Sequence, residues 1–176
     1  ELGLGSYPLT TLRAGIIIGS GSASFEIIRD LVEKLPLMIT PKWLNTKCQP
    51  IGVDNVLDCL VKTLGNEKTY DKNFDIGGPE VMTYKEILLG FAKARNLKRF
   101  IFTVPIMTPK LSSYWLYFVT STSFKLASAL VSSMKVEVVC RDLELLKIIN
   151  IEPIKYQEAL KRTLSEIVEN RIVSSW

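Results

Sequence analysis

One run near the start of the chain constrains its fold more than any other feature. Residues 10–18 are apolar and β-branched, and Gly19 closes the run. Such a run is typical of a strand buried on both faces, as in a parallel sheet. A helical pattern follows from about Ser24, with one stripe made by Ile28, Leu31, Val32 and Leu35, and Pro36 ends it. The sequence therefore predicts a strand followed by a helix.

The same alternation continues along the chain. Asp54 is a candidate N-cap for a second helix, whose apolar stripe is formed by Val56, Leu57, Leu60, Val61 and Leu64. Thr83 and Glu86 have the spacing of a capping box, which predicts a helix running to about Asn96. Residues 99–104 then predict another strand. Alternating strands and helices indicate the α/β class.

The predicted strands are too few for a complete doubly wound sheet. We therefore expect an incomplete sheet edge with exposed apolar surface, and a bare edge favours self-association into a homodimer. Trp43 follows Pro41 and is interpreted as packing a loop rather than lining a pocket.

An apolar segment at about residues 111–134 is predicted to be helical. Its longest charge-free run, residues 111–124, is too short to span a bilayer, which needs roughly 20 apolar residues. The flanking Lys110, Lys125 and Lys135 leave peripheral membrane contact open. Core packing or contact with a protein complex is favoured over that alternative.

Composition excludes several classes of protein. The 47% hydrophobic content excludes intrinsic disorder. The net charge of +4 is scattered, and its densest run lies at residues 93–99, where cations complement a helix C-terminus. Nucleic-acid binding needs a broader basic stripe, so no nucleic-acid partner is predicted.

Cysteine and histidine usage limits the chemistry. The three cysteines, Cys48, Cys59 and Cys140, are odd in number and widely spaced, so neither a disulfide framework nor a Cys-x-x-Cys metal site is predicted. Reduced, partly buried thiols fit a cytoplasmic protein, with membrane association left open by the apolar segment. The chain has no histidine, which excludes Ser-His-Asp catalysis and argues against a metal site. No catalytic residue is predicted in this chain.

Four segments, in this order, resemble the second half of the extended short-chain dehydrogenase/reductases: residues 12–19, 49–56, 74–78 and 82–87. Residues 104–115 resemble an atypical, epimerase-like subgroup related to an NAD(P)-binding accessory subunit of respiratory complex I. The resemblance implies that residues 1–176 form the C-terminal, substrate-side lobe of a Rossmann-like doubly wound protein. It also implies NAD or NADP as the cofactor.

The sequence lacks the two motifs on which this family depends. It has no Gly-x-x-Gly-x-x-Gly turn for the pyrophosphate, and no tyrosine is followed four residues later by a lysine. In the family both motifs belong to the half that would precede Glu1. We therefore expect the N-terminal cofactor half to be a missing partner, and the chain to be inactive by itself.

The resemblance also assigns candidate binding residues. Ala14 and Gly15 would lie beneath the nicotinamide, and Ile16, Gly19 and Ser20 would face the substrate. Lys47 stands beside Cys48, the position at which the family's sugar-nucleotide epimerases place a phosphate-binding arginine. A lysine lacks the bidentate fork of arginine, so an apolar substrate remains open beside a nucleoside-diphosphate sugar. Residues 19–24 imitate a phosphate-binding turn, but no acidic residue follows at the spacing that ribose recognition requires.

Two functions follow from these expectations. The first is the small-molecule-binding half of an NAD(P)-dependent oxidoreductase or nucleoside-diphosphate-sugar epimerase-like protein. The alternative is a non-catalytic NAD(P)-binding structural or sensor module that docks to a membrane or a protein complex.

Overall fold

The computed structural model describes residues 7–104 and 134–169. The predicted apolar helical segment at about residues 111–134 lies outside these residues except for Met134, so its prediction is untested. The described strands are β1 (Thr11–Ala14), β2 (Ile16–Ile18), β3 (Leu37–Pro41), β4 (Lys47–Cys48), β5 (Pro50–Gly52), β6 (Asn73–Ile76), β7 (Met82–Thr83) and β8 (Phe100–Val104). The described α-helices are α1 (Ala23–Lys34), α2 (Val53–Thr63), α3 (Tyr84–Ala94), α4 (Glu144–Ile148) and α5 (Tyr156–Val168).

Most strands pair in parallel. β1 pairs with β6, β2 with β5 and β3 with β8, all in parallel, whereas the short β4 and β7 are antiparallel. Helices connect and cover these pairs, so the predicted α/β class with parallel strands is confirmed. In the part of the chain that the structure describes, no helix combines the length and hydropathy needed to cross a bilayer.

The predicted strand over residues 10–18 is wrong in one respect, because it is two strands. The break falls at Gly15: β1 before it pairs with β6, whereas β2 after it pairs with β5. A side chain at Gly15 would meet the Val138 side chain, since its Cβ would lie 2.7 Å from Val138 Cγ1. The apolar run predicted a strand, but it contained no signal that the pairing strand changes at Gly15.

Helix α1 agrees with the prediction. It begins at Ala23 and ends at Lys34, one residue before Leu35 and two before Pro36. Ile28, Leu31 and Val32 are buried and Leu35 packs against them, so the predicted stripe faces the core.

Helix α3 begins with the predicted capping box. The Thr83 hydroxyl accepts a hydrogen bond from the Glu86 amide at 3.2 Å, and the Glu86 carboxylate accepts one from the Thr83 amide at 2.7 Å. The helix ends at Ala94, and Asn96 follows with a φ of 54°. A left-handed asparagine just beyond the last turn is a common helix stop.

Helix α2 departs from its prediction. Its N-cap is Gly52, and Asp54 lies inside the first turn rather than at the cap. The helix buries Asn55, Cys59 and Thr63. Four members of the predicted stripe point outward and are more than half exposed, and we call them the α2 stripe: Leu57, Leu60, Val61 and Leu64. Only Val56 of the predicted set packs against the core.

The buried side chains form two clusters. The first core cluster joins α1, α3 and α5 to β2 and β3, and its fully buried members include Phe25, Phe91 and Leu160. The second core cluster is smaller and joins α2 and α4 to β5 and β6, around Ile76 and Leu145. Trp43 packs against the first cluster with its ring edge-on to Tyr84, 6.4 Å between centroids, so its predicted packing role is confirmed.

Candidate functional site

The candidate site is an open crevice at the carboxyl ends of the parallel strands β1 and β6. Its volume is about 280 Å³. Ligands of open α/β sheets characteristically bind outside the carboxyl ends of the strands. The lining residues come from four separate parts of the chain: Arg13, Ala14, Gly15, Gln49, Asp75, Glu137, Val138, Val139, Cys140 and Arg141.

Residues 137–141 form the outer wall of the crevice. Val138 bridges in parallel to Cys48, donates its amide to the Lys47 carbonyl at 3.0 Å, and accepts the Gln49 amide at 3.0 Å. The wall is therefore held as an added strand, and it approaches the end of β1 so closely that Gly15 has no room for a side chain.

Gln49 fastens this wall to the loop after β6. Its side chain is buried, its Nε2 donates to the Gly78 carbonyl at 2.7 Å, and its Oε1 accepts the Cys140 amide at 3.0 Å. A Cβ on Gly77 would lie 2.6 Å from Cys140 Sγ, so the loop and the wall are in close contact. Because both ends of this buried side-chain amide are hydrogen-bonded, it fixes the relative positions of three chain segments, those around residues 49, 78 and 140.

Charges of both signs line the crevice. Arg13 forms an ion pair with Asp75 at 2.8 Å, and the Asp75 carboxylate also accepts the Arg141 amide at 3.3 Å. Glu137 is part of the outer wall. The crevice therefore offers hydrogen-bond donors and acceptors to a polar ligand, without a net charge that would select a strong anion.

The Cys140 thiol is unsuited to nucleophilic attack. Burial, together with the nearby Asp75 and Asp142 carboxylates, raises the pKa of this thiol to about 11. The nucleophilic form of cysteine is the thiolate, so Cys140 is inert near neutral pH. In residues 7–104 and 134–169, no group of histidine, cysteine or acidic side chains has the arrangement of a metal site.

The structure brings together only part of the predicted site. Ala14 and Gly15, the predicted nicotinamide neighbours, line the crevice. Ile16 is 4% exposed and its side chain belongs to the first core cluster, so it does not line the crevice. Gly19 packs against Val53, and Ser20 is half-buried in the turn before α1. Lys47 is exposed and lies outside the lining set, although its carbonyl holds the outer wall.

The glycine-rich turn over residues 19–24 does not present a vacant anion site. The Gly21 amide donates to the Glu26 carboxylate at 3.3 Å, and the Ser22 hydroxyl donates to the Ile17 carbonyl at 2.9 Å. A phosphate at this helix N-terminus would meet the Glu26 charge. This geometry agrees with the interpretation that the turn only imitates a phosphate-binding loop.

Sequence reasoning missed most of the crevice. Gln49 and Asp75 fall in segments that resemble the family, but their side chains had no assigned role. Residues 137–141 carry no periodicity and lie far along the chain, so no local signal joins them to β1. A larger hollow of about 570 Å³ between α3 and α5 is bordered by long side chains such as Lys155, Glu158 and Lys161, away from the strand ends. Its size alone does not make it the site.

Comparisons with known proteins show the fold. No protein-family model and no curated protein matches the sequence. A nucleoside-diphosphate-sugar epimerase from Staphylococcus aureus matches with a TM-score of 0.66 and 13% identity, over 91% of this chain and 54% of that one. Triphenylmethane reductase from Citrobacter sp., complexed with NADP(H), matches with a TM-score of 0.63 and 13% identity, over 89% and 53%.

A third structure points the same way. UDP-glucuronic acid 4-epimerase from Bacillus cereus, in complex with UDP-glucuronic acid and NAD, matches with a TM-score of 0.58 and 14% identity, over 93% of this chain and 46% of that one. The chain thus spans about half the length of the structures it matches. Its fold is that of the corresponding part of NAD(P)-binding epimerases and reductases.

Proposed function

We propose that this chain supplies the substrate-side portion of an NAD(P)-dependent oxidoreductase or nucleoside-diphosphate-sugar epimerase-like protein. The crevice would receive the nicotinamide end of NAD or NADP beside a small-molecule substrate. One observation carries the proposal: Ala14 and Gly15, which the resemblance places beneath the nicotinamide, line the crevice at the carboxyl end of β1.

Each part of the crevice has a role in this proposal. Ala14 presents only a methyl group, so a flat ring can approach the strand end there, whereas the Val138 side chain occupies the space beside Gly15. Gln49 holds the outer wall at a fixed distance from that floor. The ion pair of Arg13 with Asp75 supplies oriented donors and acceptors for polar groups of the substrate or the carboxamide. A bound nicotinamide would supply hydride transfer there.

The proposal assigns the rest of the chemistry to a second half of the protein. The pyrophosphate turn and the tyrosine-lysine pair are absent from the printed sequence. The proposal therefore includes a second, cofactor-binding half as the partner of this chain, and the chain by itself is expected to be inactive.

The α2 stripe supports such a partner. Lys62 donates to the carbonyls of Ile149 and Asn150, so the segment after α4 occupies one side of α2. The stripe residues lie on the opposite side of the helix at 100° per residue. An apolar helix face of this kind is ordinarily buried against another element. The half-length match to complete structures is consistent with the same partner.

The proposal is tested by titrating NADH and NADPH into this chain and into the longer protein that contains the cofactor-binding half, with tryptophan fluorescence as the readout. We expect no micromolar binding to the chain alone and clear binding to the longer protein. In the longer protein, Ala14→Phe should weaken binding by about tenfold or more because it fills the crevice floor. Ala23→Phe, the same change at an exposed alanine of α1, is the matched control.

Two results would contradict the proposal. The first is micromolar binding of either dinucleotide to the chain alone. The second is unchanged dinucleotide binding in the Ala14→Phe variant of the longer protein.

The second candidate function is a non-catalytic NAD(P)-binding structural or sensor module that docks to a membrane or a protein complex. The exposed α2 stripe supports it, because a docking module needs an apolar contact surface. A turnover assay on the longer protein separates the two. A functional tyrosine-lysine pair in the other half predicts turnover, and its absence predicts dinucleotide binding without turnover.

A further inference from the structure

Strands β3 and β8 expose an apolar face that is separate from the crevice. Met38 and Thr40 of β3 point into the protein and are fully buried. The outward face of the two strands carries four large side chains, each 53–61% exposed, which we call the apolar patch: Leu37, Ile39, Phe100 and Phe102. Large apolar side chains grouped on an exposed sheet face mark an interaction surface more often than isolated ones do.

The strand register makes the patch continuous. Leu37 is the direct partner of Phe100, and Ile39 is the direct partner of Phe102. Residues two apart on a strand project to the same face, and direct partners on neighbouring strands lie side by side. The two phenylalanines and the two aliphatic side chains therefore form one surface.

Positive charge predominates in the two chain segments that contain this patch. The segments 30–42 and 93–104, which contain both strands, carry two carboxylates and six cations: Lys34, Lys42, Lys93, Arg95, Lys98 and Arg99. The two carboxylates are already in ion pairs, Asp30 with Lys34 and Glu33 with Arg95, each at 3.1 Å. These segments alone carry a net charge of +4, which equals that of the whole chain.

The cations lie at both ends of the patch. Lys98 and Arg99 directly precede β8, and Lys42 directly follows β3. Lys42 and Lys98 are exposed, whereas Arg99 directs its guanidinium to the backbone carbonyls of Val32 and Glu33. An aromatic-rich apolar surface with lysines around it has the composition of a face that lies in the headgroup region of an anionic bilayer.

The size of the patch argues against a second copy of the chain as the occupant. Half-exposed side chains of this kind offer on the order of 100 Å² each, so the patch offers on the order of 400 Å². A specific dimer ordinarily buries about 800 Å² on each partner. Two copies would also bring their positive segments together.

We propose that the apolar patch binds to the surface of a membrane that contains anionic lipids. Phe100 and Phe102 enter the boundary between headgroups and acyl chains, and Lys42 and Lys98 contact lipid phosphates. The patch shares no residue with the crevice lining, and this proposal does not depend on the proposed enzymatic function.

The test is flotation of the full chain with phosphatidylcholine vesicles, with and without phosphatidylglycerol. We expect binding only to the vesicles with phosphatidylglycerol, and a loss of binding at high salt because screening weakens the lysine contacts. Phe100→Ser together with Phe102→Ser should lower the partition coefficient by about tenfold. Lys42→Gln and Lys98→Gln should each lower it by about fivefold.

The matched control replaces two exposed valines on other elements, Val81→Ser with Val168→Ser, which are 50% and 75% exposed. This control should bind vesicles as the native chain does. Equal binding to both kinds of vesicle, no binding to either, or equal loss in the control would overturn the proposal. So would a native dimer, seen by light scattering, that the two phenylalanine substitutions convert to a monomer. If these substitutions unfold the chain, the two lysine variants decide.

Discussion

Helices α1 and α2 have nearly the same length and similarly clear apolar stripes, yet the protein uses them differently. The stripe of α1 is buried beneath α3 in the first core cluster. The stripe of α2 faces outward, and Leu64 at its end is 87% exposed. Hydrophobic periodicity thus shows which face of a helix is apolar. It does not show whether another element of this chain buries that face.

The two core clusters repeat the contrast. Among the residues that the structure describes, the first has 18 buried members and the second has seven, so a side chain in the second cluster has fewer buried neighbours around it. We infer that the first cluster is more completely packed than the second. Four predictions test this difference.

The largest expected effect is a matched pair of cavity variants. Leu160 in the first cluster and Leu145 in the second are both fully buried. Leu160→Ala should lower the free energy of unfolding by about 4 kcal/mol, and Leu145→Ala by about 2 kcal/mol, because the smaller cluster can relax into the space. Urea denaturation measures both. An equal or larger cost for Leu145→Ala would contradict the inference that the second cluster is less completely packed.

Alkaline pH should destabilise the protein partly through Cys48 in the first cluster. Burial, and to a lesser extent the Glu86 charge, raises the pKa of the Cys48 thiol from 9.0 to about 12. The folded state therefore holds this proton more tightly than the unfolded state. The stabilisation is complete below pH 9 and is lost as the pH rises towards 12, by up to about 1.4 kcal/mol per pH unit.

Urea curves between about pH 8 and pH 11 check this dependence. The Cys48→Ala variant should have a shallower decline than the native chain. Some decline should remain, because burial also raises the pKa of the Tyr84 hydroxyl to about 12 and that of the Cys140 thiol, in the crevice, to about 11. An identical slope in the variant would mean that Cys48 does not contribute.

Thiol labelling compares the clusters directly. Cys48 belongs to the first cluster and Cys59 to the second, and both are fully buried. At low denaturant, Cys59 should react with a thiol reagent about tenfold faster or more, because the smaller cluster opens locally at lower free energy. Mass spectrometry of the labelled peptides separates the two sites. Equal rates would indicate that both clusters open together.

The smallest effect is expected at the α2 stripe. Leu60 is about half exposed, so Leu60→Ser should change the unfolding free energy of this chain by no more than about 0.5 kcal/mol. The same variant of the longer protein should be destabilised by more than 1 kcal/mol, roughly the cost of losing a buried apolar contact. Thermal melts of both proteins provide the measurement. A large cost in the isolated chain would mean that its stripe is already covered.

Features encoded over a few residues were predictable. The capping box of Thr83 with Glu86 and the stop of α1 before Pro36 depend on short-range hydrogen bonds and backbone sterics, and both were found where predicted. The Asp54 cap was misplaced by two residues, because the chain enters α2 directly from β5 at Gly52. The break at Gly15 was missed because it depends on two partner strands that are distant in sequence.

Of the residues that line the candidate site, only Ala14 and Gly15 at the end of β1 were predicted from the sequence. Ala14 and Gly15 lie in a segment with family resemblance, and both line the crevice. The Ile16 side chain is turned into the core because alternation along β2 buries Ile16 and Ile18 together. The wall at residues 137–141 depends on tertiary hydrogen bonds to Lys47 and Gln49, which no local pattern contains.

The Gln49 side chain has a consequence for the order of folding. It joins residues 49, 78 and 140, so the crevice closes only after chain segments about 90 residues apart have met. Closing so long a loop has an entropic cost that neighbouring contacts must first offset, and such contacts form late in folding. A nascent or nicked chain in which the helices have already packed would still lack the wall. Binding of a ligand to the crevice would then require that these distant segments have already folded together.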